Sequence, residues 1–120
     1  MAISFRIESA VRGHHIYKRI WTPNIGEQLI LQAEHGNTVD RFAVAVVKES
    51  NVVGHVPMEY SRIFWYFIQK RHSNIVCKIT GSRRLSEVSG KGLEVPCEYI
   101  FTGQQKHIEK LIAVFAKLHE

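Results

Sequence analysis

The residues best placed to do chemistry lie in one short stretch, HGNTVDRFAVAV, at positions 35–46. Asn37 and Asp40 stand between a glycine turn and an alternating apolar run. Side chains of this type cap turns by accepting hydrogen bonds from nearby backbone N–H groups, and they also present polar atoms to ligands. The spacing leaves both roles open for Asp40, which is either a turn cap or a ligand-binding carboxylate at the start of a strand.

Residue types that support catalysis are present, but their spacing fits no catalytic or metal-binding motif. The 7 histidines are scattered, and the adjacent His14 and His15 would face opposite sides of a strand. The chain has no H-E-x-x-H, no paired-carboxylate motif, no G-x-S-x-G and no glycine-rich phosphate loop. We therefore expect no enzymatic activity, no metal site, no cofactor and no small-molecule substrate.

The composition is that of one ordinary globular domain, residues 1–120, with a moderate basic excess. Hydrophobic residues make up 45% and charged residues 22%, and the net charge of +5 permits a polyanionic partner without requiring one. The N-terminus does not read as a signal peptide, and no stretch approaches the roughly 18 apolar residues of a membrane span. We expect a soluble intracellular protein with no membrane partner. Cys77 and Cys97 are expected to be reduced and half-buried.

Hydrophobic periodicity predicts the framework that must position Asn37 and Asp40. Alternating or continuous apolar runs predict strands at 3–11, 28–34, 42–47, 51–57, 74–85 and 92–103. Helical spacing predicts a helix from Met58 to Arg71 and an amphipathic helix from Gln104 to Leu118. Several strands with short turns and one helix inserted mid-chain favour a mainly β (α+β) fold with two helices, built on a small barrel-like antiparallel sheet. The expected core includes Val44, Val46, Ile63, Phe67 and Ile79.

Four segments of the chain occur in an order that resembles a known family. They are GHHIY (13–17), NTVDRFAVAV (37–46), VVGHVP (52–57) and GLEVPCEYIFTG (92–103). Together they resemble the HIRAN domain, the N-terminal module of the helicase-like-transcription-factor class of DNA remodellers. The resemblance covers about residues 9–103 and leaves 104–120 as a C-terminal helix. It implies an OB-like barrel that captures single-stranded DNA by its free 3′-hydroxyl end, and with it a nuclear location and a role in DNA repair.

The resemblance implies a role for four residues. Asp40 would accept a hydrogen bond from the terminal hydroxyl, and Asn37 would support the turn that holds the end. Tyr17 would stack on a base, and His55 would lie beside the phosphate path. These groups suit an unpaired end, which offers a base face, a ribose hydroxyl and a phosphate.

The chain also departs from the family pattern where aromatic rings are expected. Ile16, Val39 and Leu93 occupy those positions, and His15 stands where a basic residue precedes the first ring. Stacking contributes about 1 to 3 kcal/mol per base, so the loss of two rings could weaken binding a hundredfold or more. Trp21, expected in an exposed loop, either replaces a lost ring or plugs the end of the barrel.

The sequence leaves open the role of two arginines and an alternative function. Arg83 and Arg84 form either a solvated basic face or a phosphate track. The alternative function is a protein-interaction adaptor on the same fold. Such an adaptor would use residues 20–26 or the C-terminal helix to contact its partner.

Overall fold

A computed structural model of the chain describes residues 2–87 and 92–119. The described strands are β1 (Ala2–Arg12), β2 (Gln28–Ala33), β3 (Val44–Lys48), β4 (Asn51–His55), β5 (Asn74–Ile79), β6 (Arg84–Leu85) and β7 (Leu93–Gln104). The described helices are α1 (His14–Tyr17), α2 (Met58–Ile68) and α3 (Gln105–Leu118).

Within these residues, six strands close into an antiparallel barrel. The order around the barrel is β1-β4-β3-β2-β5-β7, and a long β1–β7 pairing closes the ring, while β6 pairs with the first two residues of β7, beyond the end of β5. The whole apolar stretch Ala43–Val47 is buried, because β3 lies between two strands and carries side chains that face both the core and α2. The predicted mainly β barrel, with a helix inserted mid-chain and a C-terminal helix, is confirmed.

Gly54 allows the barrel to close where β1 meets β4. These strands share one ladder pair, Arg12 with His55, next to an irregularity in the β3–β4 register. A Cβ on Gly54 would collide with the Val11 side chain and the Arg12 carbonyl oxygen. A residue without a side chain is therefore needed for the two backbones to approach. The close approach of β1 and β4 also fixes His55 at the rim of the barrel.

Aromatic packing joins the two longer helices to the barrel. Phe64 and Phe67 are buried on α2, and both contact the Phe101 ring of β7. Ile63, expected in the core, is half-buried against it. The helix ends at Ile68 rather than at Arg71, because the Lys70 N–H bonds the Phe67 carbonyl three residues back (3.0 Å) and so tightens the chain into a turn.

The C-terminal helix α3 begins one residue later than predicted and packs against β1, β7 and α2. Its buried stripe consists of Ile108, Leu111 and Phe115. Ile112 and Leu118, which were predicted to belong to this stripe, are exposed. The side of α3 beyond the stripe is therefore open to solvent.

The predicted strand 74–85 is interrupted. Residues 80–83 lie opposite only Val95 and Pro96 of β7, so the extra residues leave the ladder before β6 resumes it. Pro96 has no N–H to donate, which weakens pairing at this point.

Cys77 and Cys97 are buried rather than half-buried, and their mutual hydrogen bond and burial raise the pKa of the Cys77 thiol. Among the described residues, no helix is long and apolar enough to cross a membrane.

Candidate nucleic-acid interface

A continuous array of polar side chains lies at the end of the barrel where β2 and β4 finish. Glu34 follows β2 directly and forms the centre of the array. Its Oε1 accepts a hydrogen bond from Asn37 Nδ2 (2.7 Å) and lies 3.1 Å from His55 Nε2. The pKa of Glu34 is lowered because the Asn37 amide donates to the carboxylate and His55 adds a second hydrogen bond, which together outweigh burial. Glu34 therefore carries a negative charge inside the site.

Asn37 holds the loop between β2 and β3 in shape. Its Oδ1 accepts the backbone N–H groups of Val39 and Asp40, each at 2.9 Å, while its Nδ2 donates to Glu34. An asparagine that bonds the backbone two and three residues ahead is a common turn stabiliser. This geometry agrees with a supporting role for Asn37, because its own polar atoms are mostly used within the protein.

Asp40 is half-buried, and each of its carboxylate oxygens has a protein donor. Oδ1 accepts the backbone N–H of Phe42 (2.9 Å), and Oδ2 accepts the hydroxyl of Ser61 on α2 (2.7 Å). An ionised carboxylate has about four acceptor positions. Asp40 therefore caps its own turn and still has acceptor capacity on both oxygens.

Tyr17 completes the array from the other side of the barrel end. Its ring lies 6.4 Å from the His55 ring, centroid to centroid, at an interplanar angle of 47°. Burial, followed by the nearby charge of Glu34, raises the pKa of the Tyr17 hydroxyl. The structure thus brings together Tyr17, Asn37, Asp40 and His55, four residues that are distant in sequence.

Positive charge gathers beside Tyr17, around α1. The pKa of the buried His14 is lowered, first by burial and then by the nearby charges of Arg83, His15 and Lys18. His15 is exposed, and its ring packs over Gly92, where a Cβ would collide with it. Basic side chains therefore lie around α1, while the Glu34 carboxylate lies close to Tyr17.

Comparison with known proteins decides the family. The family model described as "HIRAN domain" matches residues 4–97, which is most of the chain. The chain belongs to the HIRAN domain family. HIRAN domains are DNA-binding modules. The fold is similar to that of the crystal structure of the HIRAN domain of human HLTF, with 20% sequence identity and a TM-score of 0.73, covering 92% of this chain and 86% of that chain. A search of curated proteins returns no significant match.

Two of the three positions where this HIRAN domain lacks aromatic rings are exposed beside site residues, and the third, Leu93, is half-buried. Ile16, next to Tyr17, is 68% exposed, and Val39, next to Asp40, is 81% exposed. Aliphatic side chains this exposed can cover a base edge or a ribose, but they have no π-face for stacking. Tyr17, whose ring contacts that of His55, is therefore the aromatic residue of the entry motif that remains at the array.

The expectation that Trp21 is an exposed loop aromatic is wrong. Its ring is 2% exposed and belongs to the core. Its Nε1 donates to Glu27 Oε1 (3.2 Å), and the His14 ring packs edge-on against it at 5.7 Å. The loop turns inward because both the ring and its N–H find partners there, so Trp21 closes the barrel and offers no face to a base.

Arg84 also has a role within the protein. Its Nε donates to Glu94 Oε2 (3.1 Å), and Glu94 is buried. Arg12 lies 3.6 Å from the same carboxylate through Nε and forms a two-point ion pair with Glu59. The guanidinium of Arg84 therefore neutralises a buried acid, whereas Arg83 is exposed and has no ion pair within the described residues.

Three contributors to the site were missed from the sequence. Glu34 links His55 to Asn37, Ser61 reaches Asp40 from α2, and Lys18 adds a cation beside α1. Glu34 could have been predicted from the local sequence, since an acid three residues before a turn asparagine can accept a hydrogen bond from its side-chain amide. Ser61 could not have been predicted from the local sequence, because only the packing of α2 against the barrel brings it to Asp40. Among the described residues, no cluster of His, Cys, Asp or Glu has the geometry of a metal site.

Proposed function

We propose that this HIRAN domain binds single-stranded DNA and recognises its free 3′-hydroxyl end, without a catalytic step. The observation that carries the proposal is the chain of contacts at the barrel end, which runs from the Tyr17 ring through His55, Glu34 and Asn37 to the turn of Asp40. A carboxylate accepts a hydrogen bond from a terminal hydroxyl and repels a terminal phosphate. Free 3′ ends arise in DNA repair, so a nuclear role in repair is part of the proposal.

Each group of an unpaired 3′ end has a counterpart in the array. The terminal base would stack on Tyr17, and the hydroxyl would donate to the open acceptor positions of Asp40. Asn37 would hold the loop that carries Asp40. The neighbouring phosphates would lie towards His55 and towards the cations around α1. Lys18 and Arg83 supply that charge, and the exposed His15 lies beside them.

The charge arrangement favours a single-stranded end over a continuous duplex. Glu34 and Asp40 lie within the array, and their negative charge disfavours phosphates that would cross it. A strand that ends at the carboxylates avoids this repulsion, since its phosphates would not have to pass them. We therefore expect the strand to bind in one polarity, with the DNA backbone leaving the site past α1.

A salt titration with arginine variants tests the phosphate contacts. Binding of a short single strand should weaken steeply with salt, with a slope of about −0.7 per phosphate contacted. Arg83→Ala should reduce that slope by about 0.7, since one phosphate contact is lost. Arg84→Ala is the matched control: it removes the same charge, but its guanidinium already pairs with Glu94, so we expect a smaller change.

Fluorescence anisotropy at several salt concentrations measures these slopes. An unaltered slope for Arg83→Ala would leave Arg83 as part of a solvated surface and remove it from the proposed path. Absence of oligonucleotide binding at every salt concentration would contradict the proposal itself and favour the adaptor function.

A further inference from the structure

A groove between α2 and α3 is lined by none of the residues of the polar array and has no part in the proposed DNA contacts. Its volume is about 350 Å³. Its apolar surface comes from Ile63, Phe67, Leu111 and Val114, while Arg62, Tyr66, Lys70, His107 and Lys110 complete the lining. None of these lining residues is acidic. The groove is thus an apolar floor with a basic rim.

The basic side chains at and beside the rim form no ion pair within the described residues. Lys70, Lys106 and Lys110 all lie close enough to His107 to lower its pKa, after the effect of burial. None of these lysines forms an ion pair there, and Arg62 instead packs over the rings of Phe42 and Tyr66, at 5.2 and 5.9 Å. Like charges held together on helix surfaces destabilise the fold.

The placement of Lys106 is unfavourable for α3 itself. Lys106 lies in the first turn of α3, where the helix dipole favours negative charge, and that turn contains no acidic residue. Lys110 follows four residues later on the same side, which adds like-charge repulsion. An anionic partner would relieve both effects.

We propose that the groove between α2 and α3 binds an acidic protein segment that carries large apolar side chains. The apolar side chains would fill the floor, and flanking carboxylates would pair with Arg62, Lys70 and Lys110. Nucleic acid fits this floor less well, because Ile63, Leu111 and Val114 offer no partner for the polar edges of a base. The backbone N–H groups of the two helices are also used within the helices.

The test uses a defined probe, a fluorescein-labelled synthetic peptide with leucines at helical spacing i, i+3, i+4, i+7 and glutamates between them. It should bind saturably, and more weakly as salt rises. A peptide with every leucine replaced by serine keeps the charge and should bind at least about fivefold more weakly, since apolar burial is lost. A peptide with every glutamate replaced by lysine should not bind.

Charge-reversed variants locate the peptide. Lys70→Glu with Lys110→Glu should weaken peptide binding at least about tenfold, since two attractions become repulsions. Lys18→Glu with Arg19→Glu is the matched control, because it makes the same net charge change at exposed positions beside Tyr17. This control should bind the peptide within about twofold of the original chain. Circular dichroism melts confirm that both variants fold.

The same variants separate this inference from the proposed DNA function. Lys70→Glu with Lys110→Glu, the groove variant, should keep its oligonucleotide affinity and lose peptide binding. The control, Lys18→Glu with Arg19→Glu, should keep peptide binding and lose oligonucleotide affinity. Equal loss of peptide in both variants would reduce the effect to general charge attraction and overturn the inference. Displacement of the peptide by an oligonucleotide would assign the groove to nucleic acid instead. A dimer seen by light scattering, and lost only in the groove variant, would make a second copy of the chain the occupant.

Discussion

Replacing Phe67 with alanine is expected to lower the free energy of unfolding by about 3 to 5 kcal/mol. The Phe67 ring is 4% exposed, packs edge-on against Phe101 at 5.3 Å and lies against the backbone of Gly103. Truncation would leave a cavity between α2 and the barrel, and rigid strand β7 cannot move in to fill it. Because a domain of this size is stable by about 5 to 15 kcal/mol, the loss is a large fraction of the total.

Urea unfolding followed by circular dichroism measures this effect. The matched control is Tyr66→Ala at the adjacent position, where the side chain is 49% exposed and should cost about 1 kcal/mol or less. Equal midpoints for the original chain and Phe67→Ala would mean that α2 is rotated about its axis relative to the packing described above.

Asp40→Asn should weaken binding to a 3′-hydroxyl strand at least about tenfold, because a charge-assisted hydrogen bond of about 1.5 to 3 kcal/mol is lost. Binding to a 3′-phosphate strand should stay unchanged or improve, since the substitution removes a repulsive charge. The change isolates the charge, because asparagine has nearly the same shape as aspartate.

The local hydrogen bonds explain why Asp40→Asn should fold normally. The asparagine Oδ1 can still accept the Phe42 N–H, and its Nδ2 can donate to Ser61 Oγ. The Ser61 hydroxyl then donates to the Met58 carbonyl, which already lies 3.0 Å away. We therefore expect the free energy of unfolding to change by less than about 1 kcal/mol.

Anisotropy with both oligonucleotides, together with thermal melts, measures both effects. Glu49→Gln is the matched control, because it removes one negative charge from the exposed β3–β4 turn. Equal weakening of both strand ends would point to a phosphate-path effect rather than recognition of the hydroxyl. A large loss of stability with no strand binding in the original chain would leave Asp40 as a turn cap alone.

The fold and part of the site could be predicted because their signals are local. Alternation along residues 3–11 and 92–103 predicted the strands that became β1 and β7 to within two residues. The one-turn helix α1 was not predicted, because four residues give too little periodicity to separate a helix from a loop. The early end of α2 depends on the tighter turn in which the Lys70 N–H bonds the Phe67 carbonyl, and no side-chain pattern encodes this turn.

Contacts made by tertiary packing were not predictable in the same way. Tyr17, Asn37, Asp40 and His55 were selected by their place in four ordered motifs, and the structure brings them to one end of the barrel. The sequence around Trp21 looked like an exposed loop, because the partners that bury its ring lie outside that loop or at its far end. A residue's burial depends on such partners, and a short sequence window does not contain them.

Recognition of a free end is tested most directly by competition with a strand that has none. A labelled single strand with a 3′-hydroxyl is bound to the protein and displaced by three unlabelled competitors of the same sequence. These are the linear 3′-hydroxyl strand, the linear 3′-phosphate strand and a covalently closed single-stranded circle. The proposed function predicts that the 3′-hydroxyl strand competes at a concentration at least about tenfold lower than the other two. Equal displacement by the closed circle would contradict end recognition.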